Sequence, residues 1–348
     1  MKHFVIFLAL CLLGACNQKK EGGAAATPSS ASETKAETEV KELLIYNGRK
    51  EEFTKPFFDM FEKKTGIKIV VKSGKSSGLA NTLLVEKENS PADIFFSQDA
   101  SNLGAVSTAG LFEKLPTTIL NEVDGRYRSV NSDWVGTSGR ARVLVYNKEM
   151  VKAEDLPKTM QDLTHAKWKG KLAWAPKNGS FQSHIAAMIK VLGIESTTKW
   201  LKAMKANGIE DQPKNSAIVR AVAEKKVSAG LVNHYYLYKI RKDMPEAKNA
   251  ENHFFENGDM GMFINVSGMG ILKSSKKKEA AQKFIDFMLS KEAQEIFRDV
   301  NYEYPMAAGV NPHEGLKSLA EINPVKCDLG DLEKIEETQK VLEAAGCL

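Results

Sequence analysis

Two adjacent tyrosines, Tyr235 and Tyr236, are the residues of this chain whose type and position best suit ligand chemistry. They follow a run of small and β-branched residues at 227–232, a pattern that predicts a short buried strand. Two neighbouring side chains cannot both follow one strand alternation into a core. If a helix begins at this corner, the two phenol oxygens can converge on one point in a cleft. The alternative is that both rings are interfacial packing residues whose hydroxyls reach water.

The beginning of the chain has the pattern of an export signal. Lys2 and His3 precede an apolar run at 4–13, which is too short to span a bilayer and ends in Leu-Gly-Ala-Cys16. These four residues resemble the lipobox of bacterial lipoproteins, which implies a signal peptide at 1–15 and a lipid on the sulfur of Cys16. An ordinary cleaved signal followed by a free thiol is the alternative.

Residues 16–40 are predicted to be a lipidated, disordered tether, because after Cys16 they contain no aromatic residue and little that could form a core. The remaining chain is long enough for two lobes with cores of their own. Its formal charge of +5 is small for this length and the cations are interspersed with acids, which argues against nucleic acid as a partner. We expect contact with the membrane through the lipid only.

Two cysteines remain after Cys11 leaves with the signal and Cys16 takes the lipid. These are Cys327 and Cys347, close to the C-terminus of an exported chain. Because disulfides persist in oxidising compartments, we predict a structural bridge between them. Their spacing does not fit a zinc site.

Strand and helix patterns alternate along the chain, beginning with a strand at 43–46. A helix is predicted at 51–64, with Phe53, Phe57 and Phe61 on one face, and Gly66 follows as its C-cap. The β-α-β-α-β order predicts an α/β fold with a mostly parallel sheet and helices on its faces.

Two extended segments, at 134–146 and 262–266, are long enough to cross between lobes. They predict two αβ lobes joined by two extended hinge crossings. The predicted division is lobe 1 at 41–140 and 266–316, lobe 2 at 141–265, and a C-terminal segment at 317–348 that packs on lobe 2. Hinge closure around a ligand is the usual motion of such a solute-binding plan.

Several strings within 40–320 then resemble one family, the periplasmic ferric-ion-binding proteins of bacterial ABC importers. The strings are Tyr46-Asn47-Gly48-Arg49, Ser90-Pro91-Ala92-Asp93, Ser138-Gly139-Arg140-Ala141-Arg142-Val143, Lys214-Asn215-Ser216, Asn233-His234-Tyr235-Tyr236 and Glu303-Tyr304-Pro305. The resemblance implies a type II periplasmic-binding-protein fold in a monomer of the cell envelope. It also implies that the cleft captures Fe³⁺ with a synergistic anion and that an ABC permease receives the iron.

Carried over residue by residue, the resemblance places the metal ligands on Tyr235 and Tyr236. It places the anion site on side chains and a turn from three parts of the chain: Asn178-Gly179-Ser180, Asn215 and Asn233. We add Arg140 as a fixed cation for the anion. Ordinary structural roles stay open for Asn215 as an N-cap and for Arg140 as a hinge salt bridge.

The first-lobe ligands are where this chain departs from the family. Lys50 stands where the family often has a histidine, and Gln98 replaces a glutamate, with Asp99 beside it. Gln98 and Asp99 are therefore weaker candidate ligands, and both could instead cap the following helix. Cations at a helix start oppose its dipole, so Arg49 and Lys50 are predicted to face the cleft, the alternative being a solvated helix start.

Ferric iron suits these residues because it is a hard cation that prefers oxygen donors. A bound trivalent ion lowers the pKa of a phenol, and two tyrosinates leave one net positive charge on the metal. Carbonate or phosphate can balance that charge, held by backbone N–H groups at the start of the helix after Asn178.

Two other functions were weighed. The same fold could bind an anionic small molecule such as a phosphate ester without metal, because Arg49 and Lys50 add cations where a metal ligand is expected. Catalytic motifs such as a nucleophile elbow, His-Glu-x-x-His or Walker A are not present in a fitting context, so we predict that the chain is not an enzyme.

Overall fold

The computed structural model describes residues 40–256, 258–332 and 335–348. The predicted signal peptide, Cys16 and the tether as far as residue 39 lie outside these ranges. Among the described residues, each helix is too short or too polar to cross a membrane.

Short strands and helices alternate through the described part of the chain. The strands are β1 (Glu42–Asn47), β2 (Lys68–Ser73), β3 (Ile94–Ser97), β4 (Val135–Asn147), β5 (Leu172–Trp174), β6 (Glu210–Asp211), β7 (Ala229–Asn233), β8 (Ala250–His253), β9 (Ile264–Ile271) and β10 (Tyr304–Pro305). The helices are α1 (Lys55–Thr65), α2 (Ser76–Glu86), α3 (Ala100–Thr108), α4 (Thr117–Asn121), α5 (Gly179–Leu192), α6 (Ile194–Ala206), α7 (Asn215–Ala223), α8 (Tyr235–Asp243), α9 (Lys278–Leu289), α10 (Lys291–Asp299), α11 (Leu319–Ile322) and α12 (Ile335–Ala344).

The first sheet has the strand order β2-β1-β3-β9-β4, and β10 pairs with β4 at its side. β1 runs parallel to β2 and β3, as predicted, but β9 runs antiparallel to both β3 and β4. The expectation of a mostly parallel sheet is therefore wrong for the pairs that β4 and β9 make, although β5 runs parallel to β6 and β7 as predicted. The chain enters β9 directly from another part of the fold, without the crossover helix that makes neighbouring strands parallel.

The second sheet continues the order as β4-β7-β5-β6, with β8 also paired to β4. β4 therefore belongs to both sheets: Val135–Ala141 pair with β9, and Arg142–Tyr146 pair with β7. Every residue of this strand is buried, because it is covered on both faces and on both edges. The predicted long segment at 134–146 is thus one continuous strand that joins the two sheets.

Aromatic packing sets the start of the chain against its later helices. Phe57 and Phe61 of α1 are fully buried against Phe297 and Phe284, with ring centroids 4.3 and 5.0 Å apart. Phe53, which was predicted on the same helical face, lies instead in a separate 3₁₀ turn before α1 and is half-buried.

The C-terminal helix α12 packs against α5 and α6. The predicted disulfide is wrong, because Cys327 and Cys347 are both free thiols. Lys190, near the end of α5, acts electrostatically on Cys327, whereas Lys205, near the end of α6, acts on Cys347. The two thiols therefore have different charged neighbours.

Candidate metal and anion site

The two tyrosines begin α8 directly after β7, so the predicted strand-to-helix corner is confirmed. Their rings stack with centroids 4.4 Å apart and planes 28° apart. Tyr235 is buried and Tyr236 is half-buried. Burial and the Tyr236 phenol raise the pKa of Tyr235 well above its ordinary value, so Tyr235 is a neutral phenol at neutral pH.

His234 holds this corner in place from behind. Its Nδ1 accepts a hydrogen bond from the Ala141 N–H at 3.1 Å, so its Nε2 carries the proton and donates to the Tyr302 carbonyl at 2.7 Å. The imidazole meets the Tyr235 ring edge-on, with centroids 5.9 Å apart. Burial lowers the pKa of His234 to about 4, which keeps the ring neutral.

The predicted anion residues gather at the start of α5. Asn178 is the N-cap of α5. Its Oδ1 accepts two hydrogen bonds from Ser180, one from the backbone N–H at 3.0 Å and one from the side-chain hydroxyl at 2.7 Å. Asn215 donates to Asn178 Oδ1 at 3.3 Å and to Ser180 Oγ at 3.2 Å. Asn215 is therefore not an N-cap, a position that Lys214 occupies. A side chain built on Gly179 would meet nothing within 4 Å, so this turn faces open space.

Arg142 completes this group, although sequence reasoning did not select it. Its Nη1 donates to Ser180 Oγ at 3.4 Å and to Asn233 Oδ1 at 3.3 Å, and its Nη2 donates to the Leu231 carbonyl at 3.2 Å. The side chain is buried, and in the described ranges no carboxylate pairs with it. Burial lowers the pKa of Arg142 to about 9, and the phenols of the two tyrosines oppose that shift.

A sequence signal for Arg142 exists. Residues two apart on a strand point to the same face, so Arg140-Ala141-Arg142 on an extended segment places two guanidinium groups side by side. The second of them is the one that reaches the Asn178 turn.

Arg140 is engaged on the side of the first sheet. It donates to the Gln98 carbonyl, and its Nη2 lies 3.5 Å from Asp99 Oδ1, which also accepts from Asn265 at 3.1 Å. Arg140 therefore takes the salt-bridge role that was the alternative to anion binding. Its positive charge also lowers the pKa of Tyr235, against the larger effect of burial. Asp99 takes the N-cap position of α3 without making a capping hydrogen bond.

Arg49 and Lys50 do not supply free cations to a cleft, which corrects the prediction. Arg49 is buried and pairs with Glu303 at 2.8 Å. The Lys50 side chain is 79% exposed, and its ammonium lies 3.8 Å from Glu52. Lys50 is therefore a solvated residue, which was the alternative to a position in the cleft.

Oxygen donors dominate this region. Among residues 40–256, 258–332 and 335–348, no three His, Cys, Asp or Glu side chains form a group that could hold a metal ion. A cation at the β7–α8 corner would therefore rely chiefly on the two phenol oxygens.

The chain belongs to the bacterial extracellular solute-binding protein family, whose model matches residues 46–295. It is 34% identical over 304 residues to the Fe(3+)-binding periplasmic protein of Serratia marcescens, covering 87% of this chain and 90% of that one. The comparison confirms the resemblance to ferric-ion-binding proteins. This is a family of solute-binding transport proteins rather than of enzymes.

Solved structures agree with this assignment. Iron-bound HitA from Pseudomonas aeruginosa superposes with a TM-score of 0.79 at 34% identity, covering 88% of this chain and 99% of that one. Trichodesmium IdiA (FutA), in complex with iron and citrate, gives a TM-score of 0.77 at 31% identity, covering 88% and 100% of the two chains. The predicted type II periplasmic-binding-protein fold is therefore confirmed.

Proposed function

We propose that this chain is an extracytoplasmic lipoprotein that captures ferric iron and delivers it to an ABC importer. In this proposal Tyr235 and Tyr236 bind the metal, while the Asn178 turn, Asn215, Asn233 and Arg142 hold a synergistic anion. The observation that carries it is a stacked pair of phenols beside a buried guanidinium that no carboxylate neutralises among the described residues.

Charge balance supports an anion in the complex. Fe³⁺ with two tyrosinates carries one net positive charge, and Arg142 contributes a second, whereas Arg140 is already offset by Asp99. A dianion such as carbonate or hydrogen phosphate would neutralise both charges, which matters because unpaired charges are costly in a buried site.

The donors around Arg142 match an oxyanion as well. Arg142 Nε is buried and has no hydrogen-bond partner among the described residues, so its N–H is free to donate to an anion. The Gly179 N–H lies at the positive end of the α5 dipole, and the Asn215 amide lies beside the same turn. Gly179 leaves the space that the anion requires. We infer that this cradle orients two anion oxygens towards the metal.

The remaining coordination positions would be filled from the first sheet or by water. Asp99 is the best candidate, because its carboxylate lies at the end of β3 and already faces Arg140 and Asn265. We propose that lobe 1 at 41–140 and 266–316 closes on lobe 2 at 141–265 about β4 and β9. The lipid on Cys16 and the tether would keep the protein near its permease.

An absorption titration tests the metal assignment. Metal-stripped protein, titrated with ferric nitrilotriacetate in carbonate or phosphate buffer, should develop a visible phenolate-to-iron band. The Tyr235→Phe/Tyr236→Phe variant should stay colourless, whereas the control Tyr238→Phe, on the same helix and stacked on Tyr302, should bind as the wild type does. A wild type that stays colourless with excess iron and anion would overturn the proposal.

A second function is favoured by Arg142 itself. A buried guanidinium surrounded by Ser180 Oγ, Asn233 and Asn215 could bind an anionic small molecule, such as a phosphate ester, without metal. Calorimetry in the presence of EDTA separates the two readings. Tight binding of a phosphate ester under these conditions would favour this alternative.

A further inference from the structure

Phe53 reaches Tyr235 from the other side of the site. It ends the 3₁₀ turn Glu51–Phe53, which follows β1 of the first sheet, whereas Tyr235 follows β7 of the second sheet. The two rings meet edge-on at 79°, with centroids 6.4 Å apart. The contact therefore joins segments that belong to different sheets.

Lys239 lies over the same ring. It is one helical turn after Tyr235 on α8, and its ammonium is 3.6 Å from the centroid of Phe53 and 6.0 Å from that of Tyr235. Glu52 and Glu303 attract it electrostatically, but their carboxylates pair with Lys50 and Arg49. Within the described ranges, the face of Phe53 is therefore the closer of the two rings that this half-buried cation meets.

The position of Phe53 is set independently of Tyr235. The buried Asn301 donates to the Phe53 carbonyl at 3.3 Å. The Arg49 guanidinium, which Glu303 holds, lies 5.6 Å from the ring centroid. Phe53 is thus held by neighbours on the first-sheet side, and its position does not depend on contact with α8.

We propose that Phe53 and Lys239 form a latch that closes over Tyr235 and slows the release of the metal. The contact must break whenever the first and second sheets move apart, because its two members are attached to different sheets. It also keeps water from one side of the Tyr235 phenol, which strengthens the interaction of the phenolate with a cation. This inference depends on the proposed function, since Tyr235 is the ligand that the latch covers.

Iron-release kinetics test the latch. Iron-loaded protein is mixed with an excess of a strong chelator, and the loss of the visible band is followed. Phe53→Leu and Lys239→Met should each release iron about five- to tenfold faster, as expected for the loss of a partly desolvated cation–π contact. The double variant should be little faster than either single variant, because both remove the same contact. The wavelength of the band should not change, since the ligands stay in place.

The chain offers a matched control. Phe287 is also half-buried and has Lys64 above its ring at 5.9 Å, but this pair connects α9 with α1 on one sheet. Phe287→Leu should therefore leave the release rate unchanged. Release from Phe53→Leu at the rate of this control would overturn the latch.

X-ray scattering of ligand-free protein separates the latch from the iron assignment. If the wild type forms no coloured complex, the proposed function fails, and the latch is then judged by the radius of gyration. A larger radius for Phe53→Leu than for the wild type and Phe287→Leu supports the latch, and an unchanged radius overturns it.

Discussion

Arg49 and Glu303 form a buried ion pair between the start of the domain and a segment near its end. Arg49 Nη2 donates to both carboxylate oxygens, at 2.8 and 2.9 Å, and both side chains are almost fully buried. Arg49 Nη1 also donates to Ser138 Oγ at 3.0 Å and to Ser267 Oγ at 2.6 Å. Since these serines lie in β4 and β9, the pair fixes the strand that leads into the second sheet and the antiparallel strand by which the chain returns.

Removing one partner of this pair should destabilise the fold strongly. Glu303→Gln leaves the Arg49 charge buried and unpaired, which costs about 3–5 kcal/mol of the free energy of unfolding. Urea denaturation measures the loss. The exposed pair of Lys55 and Asp59 is the control, because Asp59→Asn should leave the free energy of unfolding almost unchanged. If Glu303→Gln lost as little stability as the Asp59→Asn control, the buried Arg49 charge would not need the Glu303 carboxylate.

Arg142→Gln should separate ligand binding from stability. Removing a buried cation that has no carboxylate partner in the described part of the chain should leave the ligand-free protein at least as stable as the wild type. The affinity for iron in carbonate buffer should fall about ten- to a hundredfold, because the variant loses charge-assisted hydrogen bonds to the anion. Chelator competition measures retention, with the exposed Arg220→Gln as control. Unchanged retention would contradict the proposed anion site.

Acid should destabilise the protein through two buried histidines. Burial lowers the pKa of His234 to about 4 and that of His184 to about 3. Below pH 6.5 the unfolded chain therefore takes up protons that the folded protein does not, so the free energy of unfolding falls as pH falls towards 4. The slope is about 1.4 kcal/mol per pH unit for each histidine.

A variant isolates one of these histidines. His184 stacks on Phe263, so His184→Phe keeps an aromatic ring at that position and removes one titrating group. Urea denaturation between pH 7 and 4.5 should give a shallower pH slope for this variant. An identical slope would mean that His184 is not the group that takes up the proton.

The two C-terminal thiols should be found unbridged. Peptide mass spectrometry without reduction should recover Cys327 and Cys347 in separate peptides, and reducing agent should not change the melting temperature. Burial raises the pKa of both thiols to about 11, so alkylation at pH 7 should be slow in the folded protein and fast in urea. A linked peptide in the untreated protein would contradict the structure.

The sequence predicted those features that depend on local patterns. Phe57 and Phe61 were predicted on a helical face and are buried there, and the corner before Tyr235 follows from a short apolar run that ends in polar residues. The family resemblance then placed Asn178 and Asn215 near each other, although 37 residues separate them.

Long-range pairing could not be predicted in the same way. Nothing local to β9 specifies that it lies antiparallel to β3 and β4, because strand direction depends on how the chain returns from the second sheet. The partners of Arg49 are 89, 218 and 254 residues away, so a cation at a predicted helix start gave no indication of a buried pair. Arg142 was missed for a related reason: its lack of a carboxylate is visible only when its surroundings are known.

His234 has a consequence for which metals this corner favours. Nδ1 accepts from the Ala141 N–H with its lone pair, and Nε2 carries the proton that is donated to the Tyr302 carbonyl, so no lone pair of the ring is available beside the tyrosines. Zinc and copper readily bind imidazole nitrogen, so a histidine with a free lone pair at this corner would be a ligand for them. Because both ring nitrogens are engaged by the backbone, His234 offers zinc or copper no ligand, and the proposed iron site would keep its oxygen donors without this competitor.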